Sequence, residues 1–389
     1  MSLSEDFLYK AAQWCLVAMV FLLPVWFLPT TAAPVEFNKM LLVSVLSFLS
    51  FILFLAHSIK SGSVSLPYHR IFIIAGALLL AWLASALVSG SKSGLWGAGA
   101  EANAFFTTLT FFLASAMIMI LFPDARSLSR LMTALALGFA VFLAMVWIFS
   151  IFGLGQSLGG LFAARAFNTV GSWNSVGVAA GFFAVMLYPF LLAASGGMRW
   201  VVAALLLASL LLVLTVNFQL VWIILVFFAV LLLAHAIWRK NISLLGVGLP
   251  LGLLLISLFA ILFTTFIATN TAFPAPLEIS VSHGTTLEVA GKGLRENLIL
   301  GAGPGSFGYL WDKYRPAEVN NTPFWGLRFV AGSSYILSAL GEIGLPGWLL
   351  LVVFLGWLWY LGLKSLAGEE REAAEPVVFS AFLMASFTI

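Results

Sequence analysis

The chain has 389 residues, 62% of them apolar and 8% charged, with 18 Lys and Arg against 15 Asp and Glu for a formal net charge of +3. An ordinary soluble domain carries roughly 25% charged residues, so a mean hydropathy of +1.10 excludes soluble, disordered and disulfide-framework chains and leaves an integral membrane protein. The dispersed charge argues against a nucleic-acid partner, and the single cysteine, Cys15, can form no internal disulfide.

A hydrocarbon core about 30 Å thick is crossed by about 20 apolar residues in helix. Runs of that kind predict spans at 11–29, 40–58, 71–89, 104–122, 131–153, 175–195, 200–216, 219–238, 244–267 and 333–363, with an eleventh beginning near 376. The first run holds Pro24 and Pro29 and has no small-residue cleavage site, which favours a span over a signal peptide. Pro123-Asp124-Ala125-Arg126 predicts a turn. No charge separates Trp200 from Trp238, yet the stretch is too long for one span; its only polar interruption, Asn217-Phe218-Gln219, predicts a tight turn there. The eleventh run reaches Ile389 before it is long enough to cross. It therefore reads as cut in mid-helix, with a further span or a partner-binding region expected beyond it. The expected fold is all-α, a polytopic membrane helix bundle of about eleven spans. Helices 1–9 lie over residues 1–267, a long loop with short helices over 268–332, and helices 10–11 over 333–389, the last truncated.

Orientation follows from Lys and Arg in the connecting loops. With the N-terminus inside, ten basic residues from Lys10 to Arg371 lie in inner loops, while the short outer loops hold Lys39, Lys92 and Arg165. The N-terminus is therefore expected in the cytoplasm. The Glu369-Glu370-Arg371-Glu372 cluster reads as a solvated inner loop. His57, His69, His235 and His283 are too scattered to suggest a metal site, and no cofactor motif is present.

The outer face carries the informative residues. Arg165 precedes Gly171-Ser172-Trp173-Asn174 and the start of a span. An arginine close to hydrocarbon costs desolvation unless an anion pairs with it, and a planar guanidinium suits phosphate oxygens; snorkelling to lipid headgroups is the plainer alternative. In the long loop, Leu287, Ala290, Leu294 and Leu298 recur at helical spacing and predict one apolar face, with Lys292, Arg295 and Glu296 elsewhere on the same helix. Gly301-Ala302-Gly303-Pro304-Gly305-Ser306-Phe307 follows and predicts a structural turn that lets the loop pack on the bundle. Beyond it, Trp311, Asp312, Lys313, Tyr314 and Arg315, then Phe324, Trp325 and Arg328, mix rings with charges. Such a stretch suits a sugar platform and a membrane-interface aromatic belt equally well.

The order of these elements resembles the O-antigen ligase and polymerase superfamily of bacterial membrane glycosyltransferases. Three pieces carry the resemblance: Arg165 to Asn174 before a span, Gly301 to Phe307 in the long loop, and Tyr335-Ile336-Leu337 through Glu342-Ile343-Gly344-Leu345-Pro346-Gly347 at the next span. Three positions depart from the family pattern. Asn217-Phe218-Gln219 stands where the family usually has an arginine, His283 stands at another arginine position, and Ala331 to Ser334 lacks the histidine often found there. The resemblance implies a GT-C-like architecture in a bacterial inner membrane with the long loop in the periplasm. It also implies transfer of a glycan from a polyprenyl-diphosphate carrier to a sugar or lipid acceptor, without a metal or other cofactor. Arg165, Arg328 and His283 are then the candidates for chemistry, with Glu318 as a second candidate base. Asn174, Arg295, Arg315, Trp325 and Tyr335 are the candidates for binding substrate. A non-catalytic scaffold of the same fold, with protein partners bound beyond Ile389, is the first alternative. A lipid-linked sugar transporter is the second, less favoured because the midspans hold almost no charge.

Overall fold

The computed structural model describes residues 3–31, 33–63, 70–89, 92–97, 104–154, 157, 159–163, 167–238, 240, 243–270, 275–276, 278–367 and 379–383. Among them the structure is helical, with no strand. In chain order the helices are α1 (Leu3–Leu22), α2 (Glu36–Ser61), α3 (Arg70–Val88), α4 (Lys92–Trp96), α5 (Phe105–Leu121), α6 (Ala125–Phe152), α7 (Trp173–Ala193), α8 (Gly196–Val216), α9 (Gln219–Trp238), α10 (Leu249–Leu262), α11 (Thr264–Asn270), α12 (His283–Glu296), α13 (Phe307–Tyr314) and α14 (Tyr335–Ala367). A π turn, Leu244–Gly248, leads into α10. Among the described residues eight helices are long and apolar enough to cross a membrane: α2, α3, α6, α7, α8, α9, α10 with its π turn, and α14. The apolar parts of α1 and α5, Phe7–Leu22 and Phe105–Leu121, are shorter. This is a multi-pass membrane protein.

Local sequence explains the helix ends. The Pro123–Arg126 stretch is the start of α6 rather than a free turn: Asp124 Oδ2 accepts the Ser127 amide at 2.9 Å in a capping box. The Asp124 carboxyl is held below its ordinary range, chiefly by that amide. The turn expected at 217–219 is present. Asn217 takes φ 50° and ψ 39°, a left-handed cap that asparagine tolerates. Its Nδ2 donates to the Thr264 carbonyl at 3.0 Å, and its Oδ1 accepts from Trp222 Nε1 at 3.2 Å.

The chain forms two compact units interleaved in sequence. One comprises Val20–Pro29, Asp124–Glu278 and Leu361–Ile389. Helix α7 is its centre: 67% of its most apolar window is buried, against 22–44% for the other seven apolar helices. It is surrounded by apolar side chains such as Leu212, Val213, Trp222 and Phe228, and Phe183 stacks on Phe139 with ring centroids 3.5 Å apart. Pro250 has no amide to serve the Gly246 carbonyl in an α-helix. The buried Tyr188 hydroxyl donates to the carbonyls of Leu245 and Gly246 at 3.2 and 3.1 Å. Gly138 lets the Phe21 backbone pass where a Cβ would collide with its carbonyl.

The other unit comprises Met1–Met19, Thr30–Pro123 and Ile279–Tyr360. Polar side chains tie its helices together: Gln13 Nε2 donates to the Leu121 carbonyl at 2.7 Å and Ser50 Oγ to the Ala12 carbonyl at 2.9 Å. Trp82, Ala86, Phe105, Ala339 and Ile343 form a core where α3, α5 and α14 meet. Helix α14 is not one rod. Gly344 sits at φ 71° and ψ 176°, so the helix is broken into segments 335–343 and 345–367. The second segment, at 1.5 Å per residue, is about 34 Å long and suffices to cross alone. Residues 335–343 belong to the loop assembly.

Candidate functional site

The break in α14 creates a set of backbone groups that the helix cannot satisfy, and the glycine-rich loop satisfies them. Pro346 lacks the amide that would bond the Glu342 carbonyl. That carbonyl instead accepts from the Gly303 amide at 2.8 Å and from Ser85 Oγ at 3.0 Å. The Leu345 amide turns away to the Leu298 carbonyl at 2.9 Å, and the Gly341 carbonyl it leaves accepts from Ala302 at 2.9 Å. Ser85 also donates to the Leu300 carbonyl at 2.6 Å. The glycines are required by this close approach. Gly301, Gly303 and Gly344 have φ of 67°, 105° and 71°. A Cβ at Gly303 would collide with Ser89, and one at Gly344 with the Ile299 carbonyl. The Gly301–Phe307 and Tyr335–Gly347 motifs, about forty residues apart, thus lock into one element.

Short helices are built on that lock. Glu342, 1% exposed, accepts the Phe307 amide through Oε1 at 3.0 Å, placing a carboxylate on the first turn of α13. Phe307, Leu310 and Trp311 pack with Val289 in a small core. Helix α12 approaches closely because Gly293 gives room to Leu310, and Ala290 faces Gly341. This changes the face expected for α12. Thr286, Val289, Ala290 and Gly293 are buried, while Leu287 and Leu298 are exposed. Close backbone packing selected the small residues, so leucine spacing was the wrong guide. The Ser333 amide and hydroxyl both bond Thr286 Oγ1 at 3.0 Å, pinning the strap that leads into α14.

The candidate residues are distributed around this element as follows. Tyr335 opens α14, with its ring stacked on Trp82 at a centroid distance of 6.3 Å. Arg328 lies along α13 over Gly308, with Nε donating to Asp312 Oδ2 at 2.8 Å. Arg315 ends α13 and donates through Nη1 to the Trp325 carbonyl at 2.8 Å. His283 is the exposed first residue of α12, Arg295 is exposed in its last turn, and Glu318 is exposed in the 3-10 turn Ala317–Asn321. The structure therefore gathers Arg315, Trp325 and Arg328 around α13, with no described contact from His283, Arg295 or Glu318 to that group. Arg165 and the Glu369–Glu372 cluster lie outside the described residues. Asn174 lies in the other unit, in the first turn of α7. There the Glu278 carboxylate accepts the amides of Trp173 and Asn174 at 2.7 and 3.0 Å.

Three acidic residues gained roles that the sequence reading missed: Asp312 beside Arg328, Glu342 on α13, and Glu278 on α7. Glu342 was visible as a motif member, but no spacing rule pairs positions sixteen residues apart, as in Asp312–Arg328. At the surface, Lys313 bridges Glu296. The Glu296 carboxyl is held below its ordinary range, first by Lys313 and then by Tyr314, and the Lys313 ammonium and Tyr314 phenol are both pushed up by Glu296. No protein-family model matches the chain, and no curated protein matches it.

Proposed function

We infer that this protein is a membrane glycosyltransferase of the O-antigen ligase and polymerase kind, with a GT-C-like bundle in a bacterial inner membrane and its long loop in the periplasm. The observation that carries the reading is the locked junction of Gly301–Phe307 with the broken start of α14. It joins two of the three motifs behind the resemblance and holds α13 with Arg328 and Asp312 beside it. The donor is a polyprenyl-diphosphate-linked glycan. Arg328 keeps its Nη groups without a partner among the described residues and offers them to diphosphate oxygens; Arg165, the other arginine expected to bind phosphate, lies outside the described residues.

In the reaction, an acceptor hydroxyl oxygen bonds to the anomeric carbon while the bond from that carbon to the diphosphate oxygen breaks. Polyprenyl diphosphate leaves with the electron pair, and the hydroxyl proton passes to a carboxylate, for which Asp312 is the nearest to Arg328. Holding the donor phosphates and the hydroxyl together lowers the entropic part of the barrier. The test is release of free polyprenyl diphosphate by the protein in lipid, supplied with a carrier-linked oligosaccharide and a panel of glycan and lipid acceptors. Release that Arg328→Ala and Arg165→Ala together abolish, in a folded protein, supports the transferase. Equal release by the double variant rejects these residues as the site.

One observation favours the scaffold reading. Arg328 and Arg315 already have structural partners, and the Arg328–Asp312 pair is 61% and 51% exposed. A surface ion pair of that kind is worth about 0–1 kcal/mol. Carrier that binds without turnover, undisturbed by Arg328→Ala, selects the scaffold.

A further inference from the structure

We propose that the turn from Thr322 to Val330 is a membrane-interface anchor, inserting Phe324, Trp325 and Leu327 at the boundary between lipid headgroups and acyl chains. Trp325 is 64% exposed, Val330 59%, Leu327 43% and Phe324 38%, so four large apolar side chains stand out from one nine-residue stretch. Single exposed apolar residues are ordinary, but a cluster on a loop calls for a covering surface.

Two further observations identify lipid as that surface. First, the turn pairs several of its own backbone groups. The Trp325 amide donates to the Thr322 carbonyl at 3.2 Å, the Leu327 amide to the Phe324 carbonyl at 2.9 Å, and the Phe324 amide to Thr322 Oγ1 at 3.2 Å. The Trp325 carbonyl is taken by Arg315 at 2.8 Å. These bonds lower the cost of bringing that part of the backbone to a medium of low dielectric. Second, the turn lies on the chain that leads into a membrane helix: the loop-packed segment 335–343 follows it, and the spanning segment of α14 begins at Leu345, eighteen residues after Leu327. That length of chain lets the tip reach the interface on whichever side of the membrane the loop lies. Arg315 bonds the Trp325 carbonyl, and Arg328 follows Trp325 by three residues in the chain. Aromatic rings with guanidinium groups nearby match the layered chemistry of acyl chains beneath phosphates.

The inference needs only that α14 enters the membrane, so it stands apart from the transferase reading. If both hold, Arg328 is set at the level of the carrier's phosphates.

The test uses the full chain in phosphatidylethanolamine–phosphatidylglycerol nanodiscs, with Cys15→Ser as background. Nitroxide labels are placed at Trp325→Cys and Leu327→Cys, with the exposed Asn320→Cys as a water reference. Collision rates with oxygen and with a neutral nickel chelate report depth. The expected result is a several-fold higher ratio of oxygen to nickel collisions at 325 and 327 than at 320. Equal ratios at all three sites overturn the proposal. So does shielding of the 325 label by a soluble oligosaccharide but not by the bilayer, which would make the rings a sugar platform. Two labelled positions guard against a single variant that fails to fold.

Discussion

Gly246 and Glu342 share a defect, since each has a proline four residues downstream and loses the amide its carbonyl would bond in an α-helix. The two regions repair it differently. In the α7-centred unit, one hydroxyl from Tyr188 reaches Gly246, and the surrounding helices pack through apolar side chains. At the loop-to-span junction, a whole backbone segment is drafted in. Gly303 and Ser85 both bond the Glu342 carbonyl, and Leu298 and Ala302 take up the neighbouring groups. The first repair keeps α10 a simple membrane span. The second couples a loop rigidly to the end of a span and fixes α13, whose Asp312 holds Arg328. A broken helix inside a membrane is tolerated where other protein groups satisfy it; at the junction those groups belong to the segment that carries the candidate chemistry.

The contrast can be broken most sharply at Gly344. Gly344→Ala forces an alanine to φ 71° and ψ 176° and drives its Cβ onto the Ile299 carbonyl. The strain and overpacking together cost about 4 kcal/mol. Gly356→Ala in the same helix meets nothing within 4 Å and should be near neutral. Thermal unfolding in matched lipid compares them; equal midpoints would mean that the lock does not form.

Glu342→Ala comes next, at about 2–3 kcal/mol for a charge-assisted buried bond lost from the Phe307 amide. Glu342→Gln keeps an acceptor at Oε1 and should recover at least half of that loss. Hydrogen exchange at the Phe307 amide separates the two variants, and equal rates would reject the bond.

Tyr188→Phe should cost about 1–2 kcal/mol, because the hydroxyl serves both Leu245 and Gly246. Ser85→Ala should cost about 1 kcal/mol or less, since the Gly303 amide still bonds the Glu342 carbonyl. The reverse order, measured as unfolding midpoints, would show that the inserted backbone is not the main repair.

The smallest effect is electrostatic. The Glu296 carboxyl is depressed by Lys313 and Tyr314, so its stabilising contribution is present above the ordinary value of 4.5 and is lost as pH falls below it. Glu296→Gln should remove that part of the acid sensitivity of the α12–α13 contact. Exchange protection on α13, followed from neutral to acidic pH with and without the substitution, measures it. High salt should shrink the difference, because the pair is exposed.

Composition and hydrophobic run length carried most of the fold. Ten predicted runs fall on helices, because helix and burial in hydrocarbon both follow from local apolar length. The Asn217 turn was legible for the same reason, as the only polar interruption in a long apolar stretch. The first apolar run extends past its helix: α1 stops at Leu22, just before Pro24. In the loop, the glycines announced a close packing that the sequence could not direct.

Sequence alone determined that the chain is a helical membrane protein, which stretches become helix, and that Gly301–Phe307 and Tyr335–Gly347 are unusual. Only the tertiary structure decided that these two segments bond to each other, that α14 breaks at Gly344, that α12 buries its small residues, and that Asp312 holds Arg328. The physical reason is one of range. Helix formation and hydrocarbon burial are properties of consecutive residues. A partner for an orphaned carbonyl or a side-chain charge is any donor that the fold brings within about 3 Å, and no local pattern records which one that is.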